Sequence, residues 1–195
     1  SHSGNIKRLQ PASFKTQHRG GKGLIGSDVA EEDFLQHFIS ASTHDNILFL
    51  TDHGRVFQTK VYEIPEASRT SKGKSIHNFL EIPVEEKVSA VVSYSKDDKG
   101  YLVMVTKDGN IKKTSLEDFE NVRRTGIIAI KLNNGDLLKW VKLSSGSDEI
   151  VVTTSAGQGI RFKESQIRAM GRTAAGVRAI RLRATDHVSS LDIVR

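Results

Sequence analysis

A pair of glycines recurs along the chain at nearly fixed spacing, and no other feature limits the possible folds as tightly. The first of the pair stands at Gly4, Gly54, Gly109 and Gly157 and the second at Gly23, Gly73, Gly126 and Gly176, 19, 19, 17 and 19 residues further on. The second glycine repeats at intervals of 50, 53 and 50 residues. Between the two lie an apolar position, at Phe14, Ile64, Phe119 and Ile167, and a basic one, at Arg19, Arg69, Arg124 and Arg172. Self-similarity at a period of roughly 50 residues marks a repeat architecture, in which each unit buries its apolar face only against its neighbours.

Each unit reads as short strands. Asn46–Thr51, Tyr101–Thr106 and Glu149–Thr154 are apolar and β-branched, and each runs into a turn such as Asp52-His53-Gly54 or Lys107-Asp108-Gly109 before a second short run, which is the pattern of a hairpin. Residues 75–82, 127–132 and 177–182 predict a third strand, and residues 87–94, 137–143 and 187–194 a fourth. Only the turns around Glu63, Glu117 and Ser165 suit a helix. The expected fold class is all-β and β-propeller-like, made of repeated four-stranded blades of about 50 residues. As a single domain, the chain divides into expected repeats 1–33 (incomplete), 34–86, 87–135 and 136–186, with 187–195 opening a further blade. Its core should lie between neighbouring blades and take in Trp140 and the phenylalanines.

Composition excludes several function classes. There is no cysteine among the 195 residues, hence no disulfide framework and no thiolate metal site. The seven histidines show no metal-ligand spacing, and no Ser/His/Asp set stands out. Gly73-Lys74-Ser75 ends like a phosphate-binding loop, but position 68 is serine where that motif needs glycine. No apolar run is long enough to span a bilayer and no signal-peptide pattern opens the chain, so no membrane role is expected. The reading is of a chain with no catalytic site, no metal and no cofactor of its own.

Charge says more once it is divided. The net charge is +6, yet residues 1–23 hold Lys7, Arg8, Lys15, Arg19 and Lys22 with no acid, and residues 150–195 hold eight basic residues against three acidic ones. The stretch between them carries an excess of acid, including the group Asp28, Glu31, Glu32 and Asp33, expected to lie away from the basic edge. A basic edge on a mixed body points to a polyanion partner. Its centre is the loop Gln17-His18-Arg19-Gly20-Gly21-Lys22-Gly23. The glycines let backbone N–H groups approach a phosphate closely, Arg19 offers a planar fork and Lys22 a mobile point charge. Basic residues in the later repeats extend the candidate track: Arg69, Lys72 and Lys74, then Arg123 and Arg124, then Arg172 and Arg178. A duplex following such a rim must bend, which calls for many phosphate contacts and little base readout.

Residues 17–23 resemble the GyrA box, Q-(R/K)-R-G-G-(R/K)-G, at six of seven positions, with His18 standing where the family has Arg or Lys. Over essentially the whole chain the repeats resemble the C-terminal domain of the DNA gyrase A subunit. The resemblance implies a six-bladed β-pinwheel that wraps double-stranded DNA around its basic perimeter, so that four repeats would form an open arc, part of that domain. It implies as partners the gyrase B subunit together with the rest of the gyrase A subunit, within an ATP-dependent type IIA topoisomerase whose ATP and magnesium sites lie elsewhere. It also implies a bacterial, cytoplasmic, nucleoid-associated setting. The alternatives are the equivalent domain of topoisomerase IV, in which the box is degraded, and a propeller scaffold that binds proteins and leaves the basic loop without a task.

Overall fold

The computed structural model describes residues 1–14, 16–23 and 32–195. Lys15, and Asp28 and Glu31 of the acidic group, lie outside the described residues. The strands are β1 (Asn5–Ile6), β2 (Asn46–Thr51), β3 (Arg55–Lys60), β4 (Lys74–Ser75), β5 (Val88–Tyr94), β6 (Tyr101–Thr106), β7 (Asn110–Ser115), β8 (Ile127–Ile128), β9 (Leu138–Ser144), β10 (Glu149–Thr154), β11 (Gly159–Lys163), β12 (Val177–Arg178) and β13 (Val188–Val194). Among the described residues there is no α-helix. Single 3-10 turns stand at Val61–Glu63, Leu116–Phe119 and Glu164–Gln166, where the sequence suits helix, and also at Pro11–Ser13 and Ile76–Asn78. The fold is all-β, as expected.

The hairpins follow from turn chemistry that repeats with the sequence. β2, β6 and β10 each end on a threonine whose carbonyl accepts from the N–H of the turn glycine, at 3.0 Å for Gly54, 3.1 Å for Gly109 and 3.1 Å for Gly157. The hydroxyls of the same threonines accept from the N–H groups of Arg55 (3.3 Å), Asn110 (3.1 Å) and Gln158 (3.2 Å). Side-chain capture of a nearby N–H is what makes threonine a turn former here. Fifty residues apart, Glu86, Asp136 and Asp186 cover these turns: Glu86 accepts from the Thr51 hydroxyl (2.6 Å), Asp136 from the Asp108 N–H (3.0 Å) and Asp186 from the Ala156 N–H (3.0 Å).

The third strands are shorter than the sequence predicts and are paired elsewhere. Of residues 75–82, 127–132 and 177–182, strand covers only β4, which begins one residue earlier at Lys74, and the two-residue β8 and β12. All three pair with the hairpin of the preceding repeat, β4 with β1, β8 with β3 and β12 with β7. The ladder stops because the partner strand turns away. The N–H groups of Ile76, Ala129 and Ala179 are taken, at 2.8 Å each, by the carbonyls of Gly4, Gly54 and Gly109 in the hairpin turns themselves. The next residues, Ile130 and Leu132 or Ile180 and Leu182, then pack inward. The sheets run β5-β2-β3-β8, β9-β6-β7-β12 and β13-β10-β11, with β1-β4 as a two-stranded piece. A complete sheet is therefore not one sequence repeat: the hairpin comes from one and both flanking strands from the next.

The core is distributed between sheets in three clusters. One holds Ile47, Phe49, Phe57, Ile64 and Ile76; a second holds Leu48, Leu50, Val56, Leu102, Met104 and Phe119; a third holds Val103, Val105, Ile111, Ile150 and Val152. Neighbouring residues of β2, such as Leu48 and Phe49, serve different clusters because a strand alternates its faces. Trp140 packs half-buried on the third cluster, as expected. Phe14, Phe34 and Phe38 depart from the expectation, at 36%, 54% and 74% exposed. They stand outside the strands, where no facing sheet covers them.

In the three later pairs the second glycine, Gly73, Gly126 or Gly176, joins one repeat to the hairpin of the one before it, whereas Gly23 stands in open space. Gly176 has φ +85, and a Cβ there would stand 2.3 Å from the Ile111 carbonyl oxygen. Gly176→Ala is expected to lower unfolding free energy by about 2 kcal/mol or more, from the left-handed backbone and the displacement of β12 from β7 together, read by urea denaturation.

Candidate nucleic-acid interface

Residues 17–23 are all exposed. The Gly21 N–H bonds the His18 carbonyl at 2.9 Å and closes a turn over 18–21, with Gly20 at φ +82 in the third place. A positive φ there is the signature of a type II turn, and glycine supplies it without strain. The Gln17 side chain folds over Gly21, where an added Cβ would stand 2.7 Å from Oε1. Arg19 is the second residue of this turn.

The same turn recurs in every later repeat. The N–H of Ser71 bonds the Ser68 carbonyl (3.2 Å), Gly126 bonds Arg123 (2.9 Å) and Ala174 bonds Gly171 (3.2 Å). Arg69, Arg124 and Arg172 are the second residues of these turns, equivalent to Arg19. The third residue is Thr70, Thr125 or Thr173, none of which has a positive φ, so the later copies do not share the glycine geometry of the first. Each later turn leads into β4, β8 or β12, on the outer edge of the preceding hairpin, while β5, β9 and β13 lie side by side on the opposite edge. The arginine turns at 68–71, 123–126 and 171–174 are thereby set along the outer edges of successive sheets.

The sequence-predicted contacts divide on inspection. Arg19, Lys22, Lys72, Lys74, Arg123, Arg124 and Arg178 are exposed, whereas Arg69 and Arg172 are half-buried. Lys74 and Arg178 do not occupy matching places: Lys74 is the first residue of its short strand, opposite Ile6, and Arg178 the second, opposite Asn110. Successive strand residues point to opposite faces, so these two do not continue one track in register. Arg8 holds Glu66 at 3.3 Å and the Ile64 carbonyl at 3.3 Å, which offsets its charge.

Lys7 is engaged within the protein by backbone carbonyls. Its half-buried side chain runs to the next turn, where the ammonium donates to the carbonyls of Ser68 (3.2 Å), Arg69 (2.6 Å) and Ser71 (2.6 Å). Lys112 does the same for a later turn, and the sequence reading missed it. Its ammonium donates to the carbonyls of Ala129 (2.5 Å), Gly171 (2.9 Å) and Arg172 (2.6 Å) from a fully buried side chain. Burial pushes this ammonium down to about 8, the Arg172 guanidinium adds to the effect and Asp118 opposes it. The available signal was register, since Lys7 and Lys112 both stand three residues after the first glycine of their repeat. Phe57 stands at that place in the second repeat, its ring against Gly126, and there Arg55 supplies the cation, donating to the Thr125 carbonyl at 2.6 Å.

The family described as "DNA gyrase C-terminal domain, beta-propeller" matches residues 1–42, 45–93, 100–145 and 148–195. The chain is 44% identical over 196 residues to the DNA gyrase A subunit of Salmonella typhimurium, covering 100% of this chain and 22% of that protein. It is also 44% identical over 194 residues to the DNA gyrase A subunit of Haloquadratum walsbyi, covering 97% of this chain and 23% of that protein. The chain thus spans under a quarter of the length of these relatives. Among solved structures it is similar to the C-terminal domain of DNA topoisomerase IV, with a TM-score of 0.81 and 27% identity over 100% of this chain and 59% of that one. A DNA gyrase A C-terminal domain shares the fold, with a TM-score of 0.76 and 24% identity over 98% of this chain and 62% of that one. With the family model matching nearly every residue and two relatives above forty per cent identity, the chain belongs to the DNA gyrase C-terminal domain family of β-propellers.

Proposed function

We propose that this domain binds double-stranded DNA without sequence preference and bends it along the outer edges of its sheets. It does so as the C-terminal domain of a DNA gyrase A subunit, wrapping the duplex with a fixed hand in support of negative supercoiling. The observation that carries the reading is the recurrence of one arginine at the same place in four turns, Arg19, Arg69, Arg124 and Arg172, three of them leading into strands on the outer edge of a preceding hairpin. Phosphate contacts of this kind position a duplex and carry no base information. The glycine-rich first turn adds backbone N–H groups that a side-chain-bearing turn would screen. The gyrase B subunit and the remaining gyrase A segments would supply ATP hydrolysis and strand cleavage, in a bacterial cytoplasm beside the nucleoid.

A salt titration of duplex binding tests the electrostatic basis. The logarithm of affinity is expected to fall linearly with the logarithm of salt concentration, by about 0.9 per phosphate contacted. Binding that is insensitive to salt would contradict it. The similarity to a topoisomerase IV domain supports a second reading, in which DNA is bound but not strongly wrapped. The box at 17–23 and the identity to gyrase A subunits favour the first.

A further inference from the structure

We infer that Lys7, Arg55 and Lys112 are positioning residues for DNA contact: each leaves the outer hairpin strand of one repeat, or its end, and captures backbone carbonyls of the arginine turn of the next, so that the turn faces outward with its cationic side. The inference rests on the DNA-binding reading above. The pattern holds at every later turn. Lys7 takes three carbonyls of turn 68–71, Arg55 takes Thr125 of turn 123–126, and Lys112 takes Gly171 and Arg172 of turn 171–174.

The physical case has two parts. A turn carries carbonyl oxygens whose partial negative charge repels a phosphate, and here those oxygens point inward onto a cation. At turn 171–174 the charge is that of the buried Lys112, which the surrounding protein screens less than water would, while Lys7 and Arg55 act from half-buried side chains. Fixed carbonyls also fix the turn that bears Arg69 or Arg172, which lowers the ordering cost when the guanidinium meets its phosphate.

Mechanical joining of repeats does not account for the charge. In the second repeat Phe57 fills the lysine's place and packs on Gly126, yet a charged donor is still brought to that turn by Arg55, whose own charge Glu86 offsets at 3.2 Å. An ammonium buried as completely as that of Lys112 is costly to desolvate, and an apolar side chain would fill the space at lower cost. What phenylalanine cannot supply is a charged donor for the turn's carbonyls.

The test uses the whole chain, with Lys112→Met, Arg172→Ala and the two combined. Two quantities are measured: hydrogen exchange at the Ala174 amide, which closes the turn, and the salt dependence of affinity for a short DNA duplex. Lys112→Met is expected to speed exchange at Ala174 by about tenfold while β10 and β13 stay protected. It should reduce the salt slope by about 0.9, as Arg172→Ala does, with no further loss in the combined variant. Lys7→Met with Arg69→Ala poses the same question at turn 68–71 should Lys112→Met fail to fold. A variant that melts earlier but keeps its full salt slope, or losses that add in the combined variant, would overturn the positioning role and leave the DNA-binding reading standing. A wild-type chain that binds no duplex would overturn both.

Discussion

Arg19→Ala combined with Lys22→Ala is expected to abolish chiral wrapping of DNA and to leave the fold intact. Both side chains are exposed, and no hydrogen bond or ion pair joins either to another described residue. Their removal should therefore change unfolding free energy by no more than ~0.5 kcal/mol. Their loss from the DNA side is of a different order. The 18–21 turn is the one copy with glycine at its third place and at φ +82, and on the proposed reading a phosphate would meet the Gly20 N–H as well as charge, the Gly21 N–H being bonded to the His18 carbonyl. A bent duplex stores elastic energy of several kcal/mol, and contacts at one point of the arc hold the bend made at the others. Removing two should lower the salt slope by about 0.9 for each and also release the wrap. Linking number read after plasmid sealing measures the wrap, and thermal unfolding measures the fold.

Glu164→Ala is expected to be the most damaging single substitution to stability. The Glu164 carboxylate is fully buried and accepts from the Ser144 hydroxyl (2.7 Å), the Gly146 N–H (3.0 Å) and the Asp148 N–H (3.3 Å). Its partner is the ammonium of Lys113 at 3.6 Å, which is also buried and lies 4.7 Å from the centre of the Tyr101 ring. Truncation leaves that ammonium without a counter-charge and two N–H groups without an acceptor. Breaking a buried pair by removing one partner costs about 3–5 kcal/mol, far more than the pair contributes as a net gain. Urea unfolding should show a lower midpoint with little change in slope. Replacing Glu164 and Lys113 together by apolar residues of similar volume should restore only the part owed to the unpaired ammonium, because the Gly146 and Asp148 N–H groups still lack their acceptor.

Much of the architecture was legible because turn chemistry is local. The threonine and glycine of each hairpin turn stand within three residues of each other, and the first hairpin strands coincide with the apolar runs Asn46–Thr51, Tyr101–Thr106 and Glu149–Thr154. The partner of the third strand was not legible. β8 bonds to β3 some seventy residues earlier, and a run such as 127–132 reads as a strand whichever hairpin it joins and does not show that its ladder ends after Ile128. At the candidate interface, the arginine turns were visible as a register of Arg19, Arg69, Arg124 and Arg172. Lys7 and Lys112 shared a register, three residues after Gly4 and Gly109, but only three dimensions bring Lys7 to Ser68 or Lys112 to Gly171. Phe34 and Phe38 misled for a related reason, since apolar character alone does not place a residue under a facing sheet.

Sealing a nicked plasmid with ligase in the presence of the chain, then stripping the protein and resolving topoisomers, tests the wrapping claim most directly. The account predicts a dose-dependent shift toward positive supercoils that disappears with Arg19→Ala and Lys22→Ala combined. An unchanged linking number at concentrations where the duplex is visibly bound would contradict it.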